Sequence, residues 1–507
     1  MTDGSWVRQR PLWARWPWNA VFGASLIALA GGLLWWLFST SCADGVRRVG
    51  ADGQCVGVTD GEYHFTQNLG KISELILKEN RSVEQEEAKH GTAYVSVVYL
   101  MPMMPDEKDS NTVDSLRHEL QGAYAAQYDA NHHFGNGDVP RIKLLLGNSG
   151  SSTEQRSAAL DEIRKRTEAD RIVAVAGLGT STNATKEMVG TITKPAADGG
   201  LGLGAVGAVL TADTFDEVEG LVRVAPTNSD EAAAAAAFLQ SKEYADKRVL
   251  VVQDSKPDDQ YTRTLSQAFL KALPKKRRFA RVEQYDSSQA GSATTFKALM
   301  ANLCTYKPDV VYFAGRGVDL PKFLAPLRTR ICNDRPLTVF AGDDVSQSPQ
   351  ARGFDEILET LRDGNVELLY TGLAHPGAWE LAENAYPTDG AFGEKGSYRK
   401  FFRNDRLDDG QAIMGHDALT TAVSAIRLEG GTAADQKVNG SMMIQRWKSL
   451  HGVHAVAGAS GLISLQNDGS PERKAVPVIE IGSDGIVRTV AVSANGGDPL
   501  TRKDLAG

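Results

Sequence analysis

From residue 92 onward the chain alternates short apolar runs with amphipathic helical stretches, and this alternation constrains the fold more than any other feature. Residues 92–100 (TAYVSVVYL), 141–146 (RIKLLL), 172–176 (IVAVA) and 204–210 (GAVGAVL) read as strands. Helical spacing occupies 114–130 and 153–169 between them and resumes at Ala184. The pattern then restarts. Residues 231–239 (EAAAAAAFL) are strong helix formers, with strands expected at 248–252, 309–314, 337–341 and 367–371. Further helices are expected at 261–273, 296–303, 398–405 and 416–428, and the tail, 461–489, is strand-rich with turns at Asp468-Gly469 and Asp484-Gly485. Repeated strand–helix units specify parallel sheets covered by helices on both faces. A chain of 507 residues exceeds what one core holds, so two α/β lobes are expected. Ligands of such sheets bind beyond the carboxyl ends of the strands, which places the natural pocket between the lobes.

The N-terminal part follows different rules. Residues 19–38 (NAVFGASLIALAGGLLWWLF) carry no charge and span roughly 30 Å as a helix, the thickness of a bilayer core. Trp13, Trp16 and Trp18 precede the run, Trp35 and Trp36 lie near its end, and Arg8, Arg10 and Arg15 outnumber Arg47 and Arg48. The expectation is a cytoplasmic tail (1–18), one transmembrane helix (19–38) and a protein placed outside the cell membrane by a single pass. A cleaved signal peptide and a lipoprotein signal ending at Cys42 are the alternatives. Residues 39–90 are expected to form an extracytoplasmic stem, irregular over 41–66, and a lead-in helix spaced on Leu69, Ile72, Leu75 and Ile76. Of the four cysteines, Cys42 and Cys55 bracket a Gly- and Asp-rich segment, and Cys304 and Cys332 bracket a strand–helix pair. Two disulfides suit an oxidising space.

Composition narrows the function. A formal charge of −8 with no basic stripe argues against nucleic acid. The one basic run, 273–281 (LPKKRRFAR), reads as a solvated helix end. The stretch 171–187 (RIVAVAGLGTSTNATKE) is a strand entering a loop of small residues and hydroxyls at a helix N-terminus, where a negative group binds well. Its Gly177-x-Gly179 does not complete a dinucleotide fingerprint, because Thr182 occupies the third glycine position. Walker A, H-E-x-x-H, G-x-S-x-G and C-x-x-C are absent, and His132-His133 sits in a polar context. No catalytic residue, metal or cofactor is expected, and the chain is not read as an enzyme.

Six stretches in order carry a likeness: 174–185 (AVAGLGTSTNAT), 221–239 (LVRVAPTNSDEAAAAAAFL), 248–265 (RVLVVQDSKPDDQYTRTL), 309–324 (DVVYFAGRGVDLPKFL), 338–346 (TVFAGDDVS) and 368–379 (LLYTGLAHPGAW), followed by 458–471 (GASGLISLQNDGSP). Together, over about residues 91–490, they resemble the type I periplasmic-binding proteins, specifically the branched-chain amino-acid solute-binding proteins of ABC transporters. The resemblance implies two doubly wound parallel-sheet lobes joined by a three-strand hinge. Crossings are placed near 225–228, 370–376 and 459–463, giving lobe one as 91–226 plus 372–458 and lobe two as 227–371 plus 459–507. It also implies a site. Thr180, Ser181 and Thr182 would hold a ligand carboxylate, with Thr211 to Asp213 adding a second contact from the same lobe. From lobe two, Tyr261 would pack over the ligand and Asp343 or Asp344 would take its ammonium group. Arg316, between two glycines, departs from the family pattern. A cleft-facing guanidinium there would favour an acidic ligand, and a surface arginine on a flexible loop is the alternative. The expected function is a membrane-tethered solute-binding protein that captures an amino acid or small anion for an ABC permease. A ligand-sensing ectodomain that signals through a membrane partner is the alternative.

Overall fold

The computed structural model describes residues 41–106, 109–133, 139–289, 291–386, 390–428, 438–494 and 498–505, together with Ser25. The expected tail 1–18 and, Ser25 apart, the apolar run 19–38 lie outside the described residues. Among the described residues no helix is long and apolar enough to cross a membrane.

The first lobe is built on an eight-stranded sheet of β1 (Ser41–Ala43), β2 (Val46–Val49), β3 (Gln54–Thr59), β4 (Tyr94–Met101), β5 (Arg141–Asn148), β6 (Ile172–Gly177), β7 (Gly204–Gly207) and β8 (Leu221–Arg223). The order is β1–β2–β3–β5–β4–β6–β7–β8, parallel from β5 to β8. Strand β4 is buried along nearly its whole length because helices cover both faces. Val97, Tyr99 and Met101 point to one core, with the helices Val113–His132 and Gln411–Ile426. Val98 and Leu100 point to the other, with Thr153–Arg166 and Asn183–Thr193. That period of two fixes the register.

The second lobe adds β9 (Val249–Asp254), β10 (Arg278–Tyr285), β11 (Val310–Ala314), β12 (Leu337–Ala341) and β13 (Val366–Thr371). A ribbon of β14 (Val456–Gly458) and β15 (Gly461–Ile463) follows, then β16 (Val476–Ile481) and β17 (Val487–Ser493). The second sheet has the order β10–β9–β11–β12–β13–β16–β17, parallel except for its last two strands. Leu250, Val311, Val339 and Leu368 fill one of its cores and Val251, Tyr312, Phe340 and Leu369 the other.

Three departures from the sequence reading stand out, while the helix expected over 69–90 is observed. Residues 41–59 are not an irregular stem: β1–β3 form an antiparallel extension whose last strand pairs with β5, and Cys42 bonds to Cys55 across it. The helix Gly70–His90 buries Ile72, Ile76 and Val83 in the described fold. The basic run is not a solvated helix end: residues 278–281 open the edge strand β10, and Arg277 is buried, donating to the carbonyls of Leu239, Tyr244 and Lys247. Lastly, the β14–β15 ribbon packs in lobe one through Val456 and Ile463, and Gly469 O accepts from Arg223 N at 2.9 Å. The third crossing therefore falls just before Val476, beyond the expected 459–463. The second disulfide joins Cys304 to Cys332.

Candidate functional site

The lip of lobe one begins where β6 ends. Gly177 adopts φ +88°, and a Cβ there would lie 2.6 Å from the Tyr99 ring, so only glycine lets the chain turn at this point. The loop then presents Thr180, Ser181 and Thr182. Thr182 caps the helix Asn183–Thr193, its hydroxyl accepting from Thr185 N at 3.1 Å. Buried Ser181 accepts at Oγ from the backbone amides of Thr211 and Ala212, at 3.1 and 3.3 Å. Asp213 accepts from Ser229 N at 3.1 Å, tying this loop to the first crossing. Thr180 lies half-buried in the same loop.

The lip of lobe two is organised by Arg316. Its guanidinium gives two parallel hydrogen bonds to Asp259, from Nε to Oδ2 at 2.7 Å and from Nη2 to Oδ1 at 2.9 Å. Nη1 donates to Asp344 Oδ1 at 3.0 Å, and the plane lies 4.5 Å from the centre of the Tyr261 ring. Asp259 also caps the helix Gln260–Ala272 through Thr262 N. Asp344 Oδ2 accepts from Gly317 N at 2.6 Å, and Asp344 N donates to Tyr261 Oη at 3.3 Å. Burial pushes the Asp259 carboxyl up, but the Arg316 charge outweighs it and holds the group below its ordinary range. Behind this cluster lies a second pair of acids. Glu231 Oε2 accepts from Asp343 N at 3.1 Å and from Thr371 Oγ1 at 2.7 Å. Burial, then the charge of Asp344, pushes Asp343 up to about 7, and burial with the Asp343 charge pushes Glu231 well up.

The lips meet directly. Tyr261 N and Arg316 Nη2 donate to Ser181 O at 3.3 and 3.4 Å, and Asn183 N donates to Asp258 O at 3.1 Å. Further out, Thr112 N donates to Gln347 Oε1 at 3.2 Å and Gln347 Nε2 to Asn111 Oδ1 at 2.9 Å. Beside these bonds a cavity of about 430 Å³ is lined, among the described residues, by Pro105, Asp106 and 109–113 of lobe one and by Gly317, Val318, Asp344, Gln347, Ser348 and 350–352 of lobe two.

The structure thus brings Ser181, Thr182, Thr211, Tyr261, Arg316 and Asp344 together, but commits their polar atoms largely to one another. The expectation that Arg316 offers its guanidinium to an acidic ligand does not hold in this arrangement, because two carboxylates already occupy it. Nor is Arg316 a surface residue: it is 9% exposed. The Asp344 oxygens are likewise held by Arg316 and Gly317 N. Sequence reasoning missed Asp259, Glu231 and Gln347. Asp259 carried a readable signal as an acid immediately before a helical run, where caps sit. Glu231 and Gln347 carried none.

Two α/β lobes with a site between the carboxyl ends of their strands define the class: this is the fold of the type I periplasmic-binding proteins. Among solved structures, the chain is similar to a leucine-binding protein of Thermotoga maritima, at 18% identity over 79% of this chain and 98% of that one, with a TM-score of 0.54. It is similar to the substrate-binding protein of a Streptococcus pneumoniae branched-chain amino-acid transporter in complex with isoleucine (16%, 79% and 99%, TM-score 0.55). A third is an ABC-transporter solute-binding protein of Rhodopseudomonas palustris in complex with p-hydroxybenzoic acid (12%, 79% and 97%, TM-score 0.57). No family model and no curated protein matches the sequence. At these identities the likeness is one of fold.

Proposed function

We propose that the chain is an extracytoplasmic solute-binding protein, tethered to the cell membrane through residues 19–38, that captures a small polar solute between its lobes for an ABC permease. The observation that carries the reading is the meeting of the two strand ends around a cavity of about 430 Å³, in a fold shared with transporter solute-binding proteins. The two disulfides support an oxidising location. A solute that bridges the lobes stabilises the closed form by its differential contacts with the open one. The test is a thermal-shift screen of the full-length chain against amino acids, amines and aromatic acids, with membrane extraction by detergent but not by salt as the test of tethering. A solute that raises the melting temperature supports the reading; none doing so across the panel removes it. The hydrogen bonds that already join Ser181 to Tyr261 and Arg316 favour a second reading, a sensing ectodomain acting through a membrane partner. Solute uptake lost on deletion of the gene selects the first.

A further inference from the structure

We propose that the deep cleft is a guanidinium site which the chain fills with its own Arg316, so that the two lobes are latched by an internal ligand. The loop that carries the arginine is built to press it inward. A Cβ at Gly315 would lie 2.2 Å from Tyr285 Oη and 2.5 Å from the Phe313 ring, and one at Gly317 would lie 2.4 Å from Asp344 O. Only glycine fits on either side of Arg316. The site then matches the whole of the group. Asp259 takes the fork from Nε and Nη2, Asp344 Oδ1 takes Nη1, and Ser181 O takes Nη2 as well. The Tyr261 ring covers one face, its centre 4.5 Å from the guanidinium carbon. Paired acceptors with an aromatic face suit a planar fork of donors and not a compact ammonium.

The same contacts hold the lobes. Asp259 lies between the two lobe-two residues whose backbones bond to lobe one: Asp258 O accepts from Asn183 N at 3.1 Å, and Tyr261 N donates to Ser181 O at 3.3 Å. With Thr182 opposite Asp259, residues 181–183 and 258–261 pair as a short antiparallel bridge. Gripping Asp259 therefore fixes the edge that lobe two presents, and Nη2 adds a charge-assisted bond to the same Ser181 carbonyl. Beside the bridge, Thr214 Oγ1 of lobe one donates to Gln260 Oε1 of lobe two at 3.1 Å. A cationic solute entering the deep cleft competes with Arg316 for the acceptors it would need, and the arginine has the advantage of a group tethered to its site. Closure at this point is set by the chain itself. The proposal goes beyond the solute-binding reading, because it concerns the latch and not the cargo.

Arg316→Ala removes the atoms of an N-ethylguanidinium ion, which serves as the probe. Calorimetry on the full-length chain is expected to show binding of the ion by the variant and none by the wild type. Ethylammonium, which has the charge without the fork, binds the variant about tenfold more weakly, and adding Asp259→Asn weakens N-ethylguanidinium by about as much. Spin labels on Glu187→Cys and Gln267→Cys, exposed positions on the helices that follow the two lips, read the separation of the lobes. The distance lengthens in Arg316→Ala and shortens again with the ion. A folded variant that does not bind the ion, a wild type that binds it equally, or ethylammonium bound as tightly overturns the guanidinium site. An unchanged distance in the variant overturns the latch. Folding of Arg316→Ala restored only by the ion supports the proposal. If the variant folds under neither condition, Arg316→Lys decides: it keeps the buried charge and loses the fork, so the distance lengthens, and a wild-type distance overturns the latch. Each of these failures leaves the solute-binding reading standing.

Discussion

Arg316 and Asp259 lie 57 residues apart in sequence and meet in a two-bond fork at 2.7 and 2.9 Å, with the same guanidinium reaching Ser181 O in the opposite lobe. The pair is a staple for lobe two that also touches lobe one. Forked arginine–carboxylate pairs are the strong, geometrically specific form of ion pair. Their cost in desolvation makes them sensitive to the loss of either member.

Arg316→Ala therefore strands two buried carboxylates. The expected loss is about 3–5 kcal/mol in chemical denaturation. Combining it with Asp259→Asn returns part of that loss, because one stranded charge goes. A single variant as stable as the wild type would show that the pair is solvated and idle.

The hydroxyls of the first lip separate by role. Thr182→Ala removes a helix cap and costs about 1 kcal/mol. Ser181→Ala leaves the amides of Thr211 and Ala212 without their acceptor and costs about 1–3 kcal/mol. Urea melts of both variants check the order, which reverses if Ser181 Oγ is free to turn toward solute.

Glu119 gives a pH signature. Its carboxyl is buried, accepts from Tyr99 Oη at 2.8 Å, and leaves Oε2 unpartnered. Burial pushes it up from 4.5 to about 7. A carboxyl raised in the folded state favours folding below its unfolded pKa, and that contribution is lost as pH rises from about 4.5 through about 7. Glu119→Gln removes the titration, so the variant gains roughly 1–3 kcal/mol over the wild type at pH 8, and the gain vanishes near pH 4. A difference that is flat across pH would contradict the assignment.

The Cys304–Cys332 bond closes a loop of 28 residues in lobe two. Replacing both by serine is expected to cost about 3–4 kcal/mol through the freed unfolded chain. Equilibrium unfolding against the wild type measures it, and reduction of the wild type, which also opens Cys42–Cys55, gives a shift at least as large.

The two sheets were legible because their strands are uniformly apolar runs between helices of clear period, such as IVAVA at β6 and VVYFA at β11. What escaped was polar and at an edge. Strand β1 (SCA) is only three residues long and β2 (VRRV) centres on two exposed arginines rather than an apolar run, so neither shows a strand pattern. Strand β10 (RFARVEQY) keeps its basic residues half-buried or exposed along the rim of the sheet, so its charge masked its period. In the site, the resemblance brought the right loops together but assigned their atoms to a ligand. Which of those atoms the protein spends on itself depends on contacts such as Arg316 to Asp259, and no local pattern encodes a pairing between separate loops.

The late position of the third crossing has a bearing on how the molecule is made. Lobe one needs the β14–β15 ribbon and the bond from Arg223 N to Gly469 O, and lobe two needs β16 and β17 to extend its sheet beyond β13. Lobe one is unfinished until Gly469 has left the ribosome, and lobe two until β17 has. Domains that are continuous in sequence fold one after another during synthesis. These two cannot, so a chain cut short anywhere before β17 leaves at least one sheet unfinished, and a carrier that escorts the growing polypeptide must hold it until that strand has emerged.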